Sequence, residues 1–298
     1  MRFTLRLLAL PLAAAIAATV VAASPQPLHE HRVHSQKYAG AGSQQVPTER
    51  LVDVPCVRGM ADVFPCDNID LLSFVPFEEF YVDDATTVES LGSAELSEVW
   101  GWANPETGSE FIVIGMFNGV GFFNVTDPYD PIYLGKINSD TPADMVWYDV
   151  KTYENFAIIT SESTPFGMMT FDLTRLEDQS GAQDWRPDAV YAPNLTAHNV
   201  VVNEESGFAY LVGSGTIVGA LSSAGGDIAG SPVNTTVAAE PCRGGLHVVD
   251  LADPTLPVFA GCFALDGYTH DAQCVIYDGP DTDWTSAEIC FAYNENEV

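Results

Sequence analysis

Four stretches of the sequence place two polar residues at the start of a strand-like run: Ser97-Glu98, Tyr148-Asp149, His198-Asn199 and His270-Asp271. The second position always carries a carboxylate or an amide, and such oxygen atoms are the ligands that calcium prefers. Adding the two histidines to this set would suit a transition metal instead. The alternative is structural, because buried polar side chains usually bond to backbone groups of neighbouring strands. We take the structural role as the default and keep the cation site as a hypothesis.

A second hypothesis concerns hydrolysis. Ser161, Glu162 and Ser163, in the run TSES, end a strand-like segment from which they can approach His198. A serine hydrolase needs a serine, a histidine and an acid in mutual contact, and the spacing in the sequence does not by itself support that arrangement here. The G-x-S-x-G and H-E-x-x-H motifs and the glycine-rich phosphate loops are all missing from the sequence. The sequence therefore leaves open whether the protein is an enzyme.

The acidic run at residues 278–288, DGPDTDWTSAE, partly resembles a calcium-binding loop. It lacks the glycine that makes the sharp turn of an EF-hand, and strand-like rather than helical segments flank it. We interpret it as a solvated hairpin loop.

The elements that must position these side chains recur along the chain. The interval is 51 residues from Glu98 to Asp149 and 50 from Asp149 to Asn199. It grows to 72 residues up to Asp271, where residues 215–236 are inserted as a predicted exposed loop. Each unit consists of strand-like runs separated by Gly and Asp-Pro breaks. This repetition predicts an all-β fold, a β-propeller of four-stranded blades, with a β-sandwich as the rival.

About four blades are predicted, and the last, ending in CFAYNENEV, is incomplete. The innermost strands of a propeller face a central channel, and strand side chains alternate in direction. The aligned positions would therefore form one ring, made of Glu98, Asp149, Asn199 and Asp271. Their neighbours would lie on the other side or at the channel rim, namely Ser97, Tyr148, His198 and His270. The run CVIY after His270-Asp271 is predicted as a buried strand.

The N-terminus has the features of a signal peptide over residues 1–23. Arg2 and Arg6 precede an apolar run, and Val21-Ala22-Ala23 ends in the small residues that signal peptidase accepts. The run is shorter than the roughly 20 residues of a spanning helix, so we favour cleavage over an uncleaved anchor. Residues 24–50 are interpreted as a flexible lead-in, whose His-rich tract, HEHRVH, lacks anything to fix metal geometry. Residues 51–298 form the predicted repeat domain.

The charge balance restricts the partners. The chain has a net charge of -30, and removal of Arg2 and Arg6 leaves 9 basic against 41 acidic residues, or -32. Such a surface repels nucleic acid and anionic membranes. No later stretch is apolar and long enough to cross a bilayer, so we expect an exported protein without stable membrane insertion.

All six cysteines lie beyond the signal peptide. Export makes disulfides the default, and local pairing predicts Cys56–Cys66, Cys242–Cys262 and Cys274–Cys290. A zinc site is the weaker alternative, because no C-x-x-C pair occurs. Three sequons, at Asn124, Asn194 and Asn234, are candidate glycosylation sites.

Several long motifs resemble the choice-of-anchor B family of exported, LVIVD-repeat proteins. They include GFFNVTDPYDPIYLG, WYDVKTYENFAIITSES, AHNVVVNEESGFAYLVGS and GGLHVVDLADPTLPVFAGC, and the resemblance covers the chain from about Val52 onwards. It implies a secreted or surface-held β-propeller with further blades and a C-terminal anchoring segment. It brings no catalytic residues.

The function that we expect is that of an extracellular binding module, with a structural calcium or other divalent metal ion at the ring. Its ligand would be an extracellular protein, a glycan or a small molecule. The alternative is a metal-dependent extracellular hydrolase that uses the His and Asp side chains of the central channel.

Overall fold

The computed structural model of the chain describes residues 46–80, 96–117, 119–139, 147–162, 166–192, 195–216, 233–234, 242–265 and 267–294. The predicted signal peptide, most of the lead-in, Ser163 and Asn194 lie outside these residues. The fold is all-β, as expected, with several sheets and none of them closed among the described residues. No helix in the described part of the chain is long and apolar enough to span a membrane.

The first described segment forms two small antiparallel pairs. They are made of β1 (Leu51–Val54) with β4 (Leu71–Phe74), and β2 (Met60–Ala61) with β3 (Phe64–Pro65). A 3-10 turn at Phe77–Glu79 follows. Phe80 packs against the rings of Phe123 and Tyr133 in the next sheet.

Three four-stranded antiparallel sheets follow, each built in chain order. The first contains β5 (Leu96–Ala103), β6 (Glu110–Met116), β7 (Gly119–Asn124) and β8 (Ile132–Asn138). The second contains β9 (Tyr148–Tyr153), β10 (Phe156–Ser161), β11 (Met168–Asp172) and β13 (Ala189–Tyr191). The third contains β15 (Asn199–Asn203), β16 (Phe208–Val212), β19 (Leu246–Asp250) and β20 (Val258–Phe263).

A fourth, two-stranded sheet pairs β21 (Thr269–Ile276) with β22 (Glu288–Asn294). Two short parallel strands extend the earlier sheets at their outer edges: β12 (Gln183–Trp185) beside β8, and β18 (Val233–Asn234) beside β13. A separate pair joins β14 (Leu195–Thr196) to β17 (Gly215–Thr216). The expectation of a plain loop over residues 215–236 was therefore wrong at β17 and β18, and residues 217–232 lie outside the described chain.

The first strands of the four sheets lie next to one another in the order β5, β9, β15 and β21. One apolar cluster fills the space between the first and second sheets, where the rings of Phe122 and Phe171 stack with centroids 4.5 Å apart. A second cluster lies between the second and third sheets, around Tyr191 and Leu211. Burying these faces against each other stabilises the stack of sheets, because apolar area leaves water.

The run CVIY was expected to be buried, and it is only half buried. Along β21, Ala272 and Cys274 are buried while Gln273 and Val275 are exposed. A strand alternates its side chains between two faces, and here one face packs on the third sheet while the other faces solvent.

Candidate functional site

Polar side chains gather where the first strands of the sheets begin. We call this group the first-strand cluster and define it by the following residues: Glu98, Asp149, Lys151, Glu162, His198, Asn199, His270 and Asp271. β-bulges shape two of the strand starts, around Ser97-Glu98 on β5 and at His270 on β21. Bulges redirect side chains and are frequent beside functional sites.

Asp149 is the buried member of the cluster, with 4% of its surface exposed. Its Oδ1 accepts hydrogen bonds from the backbone N–H of Val150 at 2.9 Å and from Nζ of Lys151 at 2.6 Å. Its Oδ2 accepts one from the backbone N–H of Val200 at 2.7 Å, on the next sheet. Both carboxylate oxygens thus already accept hydrogen bonds from protein groups, as expected for a buried side chain with a structural role.

Similar bonds link each sheet to the next. The backbone N–H of Tyr148 donates to Oγ of Ser97 at 3.4 Å. Nδ2 of Asn199 donates to the backbone carbonyl of His270, also at 3.4 Å. Together with the bond from Val200 to Asp149, these contacts join all four sheets through the residues that the sequence aligned.

Lys151 supplies positive charge inside the cluster, and sequence reasoning did not single it out. Its Nζ lies 3.7 Å from Oε1 of Glu98 and 4.4 Å from the ring centroid of Trp100. Partial burial raises the pKa of Glu98, and the charge of Lys151 opposes that rise. Its place two residues after Asp149, on the same face of β9, was the signal that could have identified it.

His198 contacts side chains from both neighbouring sheets. Its Nδ1 donates to Oε1 of Glu162, and its ring centroid lies 4.2 Å from that of His270. The hydrogen bond to Glu162 is the main reason that the pKa of His198 is raised. Burial opposes the rise, whereas the carboxylates of Glu162, Asp149 and Asp271 add to it. The contact with Glu162 therefore stabilises the protonated form of the His198 imidazole.

The serine-hydrolase geometry is not assembled by the described residues. The hydroxyl of Ser161 donates to the backbone carbonyl of Trp147 at 3.0 Å. Among the described residues of the TSES run, Glu162 alone contacts His198, as an orienting carboxylate rather than as a nucleophile. Ser163 lies outside the described residues.

The cation ligands proposed from the sequence are only partly brought together. His198, His270 and Asp271 are neighbours at the exposed side of the cluster, whereas Asp149 and Asn199 already bond to protein groups. In the described part of the chain, no group of three or more His, Cys, Asp or Glu side chains is arranged to hold a metal ion. The acidic run at 278–288 forms an exposed turn in which the N–H of Asp283 bonds to Oδ1 of Asp281.

The six cysteines form the three disulfides expected from local pairing. They are Cys56–Cys66, Cys242–Cys262 and Cys274–Cys290, with Cα atoms 5.9, 5.3 and 4.0 Å apart respectively. Such bonds persist in oxidising compartments of the extracellular type.

Of the three sequons, only Asn124 is fully described. Its side chain is partly exposed, and its Oδ1 accepts a 2.9 Å bond from the N–H of Thr126. The backbone of Asn234 belongs to β18.

No protein-family model, curated protein or solved structure matches this chain.

Proposed function

We propose that the chain is a secreted β-propeller that binds a positively charged extracellular ligand at the exposed side of the first-strand cluster. Four successive sheets with neighbouring first strands support the propeller. The three disulfides and the N-terminal sequence support secretion. The resemblance to the choice-of-anchor B family supports both.

The observation that carries this proposal is the contact of Glu162 with His198 beside His270. These three side chains come from three successive sheets and remain accessible; the side chains of Glu162 and His198 are 25% and 26% exposed. Polar groups that converge at strand ends, held by a rigid scaffold, are typical of binding sites.

Charge selects the ligand class. Four carboxylates, those of Glu98, Asp149, Glu162 and Asp271, outnumber the ammonium of Lys151 together with the protonated imidazole of His198. The net charge of the whole chain is also negative, at -30. Such a field attracts cations and basic groups over a long range. The ligand is a cationic side chain of an extracellular protein, a cationic small molecule or a metal ion, rather than an anionic glycan.

Metal binding is the narrower form of this proposal. A ligating histidine usually donates its second ring N–H to a carboxylate, and Glu162 stands in that relation to His198. Histidine ligands favour a transition metal over calcium. The carboxylate of Asp149 is engaged by Val200 and Lys151, which argues against the oxygen-only calcium ring suggested by the sequence.

The hydrolase alternative has less support. The metal-dependent hydrolase would use Asp149, whose carboxylate is already bonded to Val200 and Lys151. A serine nucleophile at Ser161 is also disfavoured, because its hydroxyl bonds to the carbonyl of Trp147 instead of His198. We therefore propose binding without catalysis.

Calorimetric titration of the full chain with Ca²⁺, Zn²⁺ and a tetralysine peptide tests this function. We expect at least one probe to bind, and His270→Ala and Asp271→Asn each to weaken that binding. Asp283→Asn, in the exposed turn, is the matched control and should leave binding unchanged. If none of the probes binds, or if binding ignores the first two variants, the proposal is wrong.

A further inference from the structure

Lys151 is one of only three lysines in the sequence, and it belongs to the first-strand cluster. Its Nζ donates hydrogen bonds to Oδ1 of Asp149 at 2.6 Å and to the backbone carbonyl of Val150 at 3.1 Å. Oε1 of Glu98, on the first sheet, lies 3.7 Å from the same nitrogen. The ammonium group thus bridges the first strands of the first and second sheets.

The indole of Trp100 completes the surroundings of this ammonium group. Nζ of Lys151 lies over the ring, 4.4 Å from its centroid. Carboxylates and the face of a tryptophan attract an ammonium group through charge-assisted hydrogen bonds and through the cation–π interaction. We call this place the ammonium subsite and define it by the following groups: Glu98, Trp100, Asp149 and the backbone carbonyl of Val150.

The walls of the ammonium subsite have partners other than the lysine. The carboxylate of Asp149 also accepts hydrogen bonds from the backbone N–H groups of Val150 and Val200. Nε1 of Trp100 donates to Oγ1 of Thr152 at 3.2 Å, which orients the ring against β9. The subsite is therefore preorganised, and a different ammonium group would find the same acceptors in place.

The lysine side chain is free to leave this place. The side chains of Lys151 and Glu98 are 24% and 34% exposed, so the subsite opens to solvent. An ion pair in such a partly exposed position contributes little net free energy, and a released lysine regains rotamer freedom. An incoming ammonium group that makes the same bonds can therefore take the place of Lys151.

The hydroxyl of Thr160 is a second sign that the cluster receives a polar group. Thr160 lies opposite Asp149 in the pairing of β9 with β10, so the two side chains share one face of the sheet. Thr160 is fully buried, and its Oγ1 has no hydrogen-bond partner among the described residues. A buried hydroxyl without a partner costs free energy, and a donor on a ligand seated beside Asp149 would remove that cost.

We propose that the ammonium subsite binds a primary ammonium group of the ligand, and that Lys151 occupies the subsite as a tethered competitor until the ligand displaces it. This inference rests on the cationic ligand proposed for the first-strand cluster, and it narrows that ligand to a primary alkylammonium compound. A ligand with several ammonium groups is favoured, because Glu162 and Asp271 attract its other charges while one group displaces Lys151.

Lys151→Ala in the full chain tests the subsite itself, because it removes the tethered ammonium group. We expect a lower midpoint of urea unfolding, which n-butylammonium chloride at about 10 mM should raise again, since such a small ligand binds weakly. Tetramethylammonium chloride has the same charge but no N–H donor, and it should leave the midpoint of the variant unchanged. The midpoint of the wild type should respond to neither salt.

Displacement is tested by calorimetric titration of Lys151→Met, which keeps the aliphatic chain and lacks the charge. We expect this variant to bind the tetralysine peptide about tenfold or more tightly than the wild type does, because no tethered ammonium group competes. Lys136→Met, on β8, makes the same change in net charge outside the cluster. It should alter the affinity less than about twofold, because salt screens distant charges.

A parallel titration with spermine separates two sources of the ammonium group. A gain in affinity for tetralysine alone would identify a lysine-rich peptide as the ligand. A gain of equal size for spermine would identify a free polyamine as a sufficient ligand.

Three results would overturn the inference. The first is a failure of n-butylammonium to raise the midpoint of Lys151→Ala, and the second is an equal rise with tetramethylammonium. The third is equal affinity of tetralysine for the wild type and for Lys151→Met, which would leave the proposed binding function intact. If tetralysine binds neither protein while n-butylammonium still raises the midpoint, the proposed binding function is wrong and the ammonium subsite stands.

Discussion

Oδ2 of Asp149, on the first strand of the second sheet, accepts a 2.7 Å hydrogen bond from the backbone N–H of Val200, on the first strand of the third. This bond ties two sheets together at the point where the sequence repeat begins. A buried N–H group needs a hydrogen-bond acceptor. The Asp149 carboxylate, a residue type that often binds metals, therefore has a structural role here.

Asp149→Ala should destabilise the chain by about 2–4 kcal/mol. The substitution leaves the N–H groups of Val150 and Val200 without their acceptor and removes the partner of Lys151. Urea unfolding monitored by circular dichroism measures this loss.

Asp271→Ala is the matched control for that experiment. Asp271 is exposed, and its Oδ1 accepts a 2.8 Å bond from the N–H of the next residue, Ala272, as Asp149 does from Val150. We expect a change within about 1 kcal/mol. Equal destabilisation by both substitutions would show that the bond between the sheets contributes little.

Stability should depend on the titration of His198. Its pKa is raised in the folded state, chiefly by the hydrogen bond to Glu162. The resulting stabilisation is fully present below the unfolded pKa of about 6.5 and is lost as the pH rises through the folded pKa. The titratable groups that face His198 are Glu162 and Asp149 on the second sheet, and His270 and Asp271 on β21.

Glu162→Gln isolates this effect. We expect it to lower the pKa of His198 and to flatten the decline in stability above pH 6.5, because the amide lacks the negative charge. The NMR shift of the His198 ring protons between pH 5 and 9 measures the pKa of His198. The midpoint of urea unfolding over the same pH range measures stability. Glu106→Gln, on an exposed turn, should change neither. A midpoint profile that Glu162→Gln leaves unaltered contradicts this account.

The sequence was informative where structure depends on local and repeated signals. The starts at Tyr148 and His198 align because each unit repeats a strand and a turn, and these are local properties. Nearby cysteines predicted all three disulfides for the same reason. The fold class and the linking role of Asp149 could therefore be anticipated.

The parts that the sequence did not predict depend on distant contacts. β12 and β18 are short segments that pair in parallel with strands of the preceding sheet, and nothing in their local composition requires this. The ion pair of Lys151 with Glu98 likewise joins two different sheets, so it depends on how the sheets pack and not on the sequence around Lys151. Such pairings are fixed by the packing of whole sheets and are not encoded in a short window.

The disulfide between Cys274 and Cys290 should stabilise the fourth sheet. These residues face each other across β21 and β22, with a sequence separation of 16. The double substitution to alanine should cost about 2–4 kcal/mol, because the unfolded chain regains the freedom of that loop. Hydrogen exchange should report faster amide exchange in β21 and β22.

Removing Cys56 and Cys66 in the same way provides the comparison for this experiment. Their disulfide lies in the first described segment, before the first sheet, and should leave exchange in β21 and β22 unchanged. Exchange that accelerates equally in every sheet after the removal of Cys274 and Cys290 would contradict a local role for that bond.

Gly135→Ala should release β12, which pairs with the outer strand β8, from the first sheet. Gly135 has a φ of +95°, and its added Cβ would collide with the backbone of Gln183. We expect a loss of about 2 kcal/mol or more from the strain and the broken pairing. The indole of Trp185 would become more exposed, and a red shift of tryptophan emission reports it. Gly261→Ala, at the matching position on β20, meets open space and should change neither stability nor emission. If Gly261→Ala destabilised the chain more than Gly135→Ala, the pairing of β12 would not depend on the absence of a side chain at position 135.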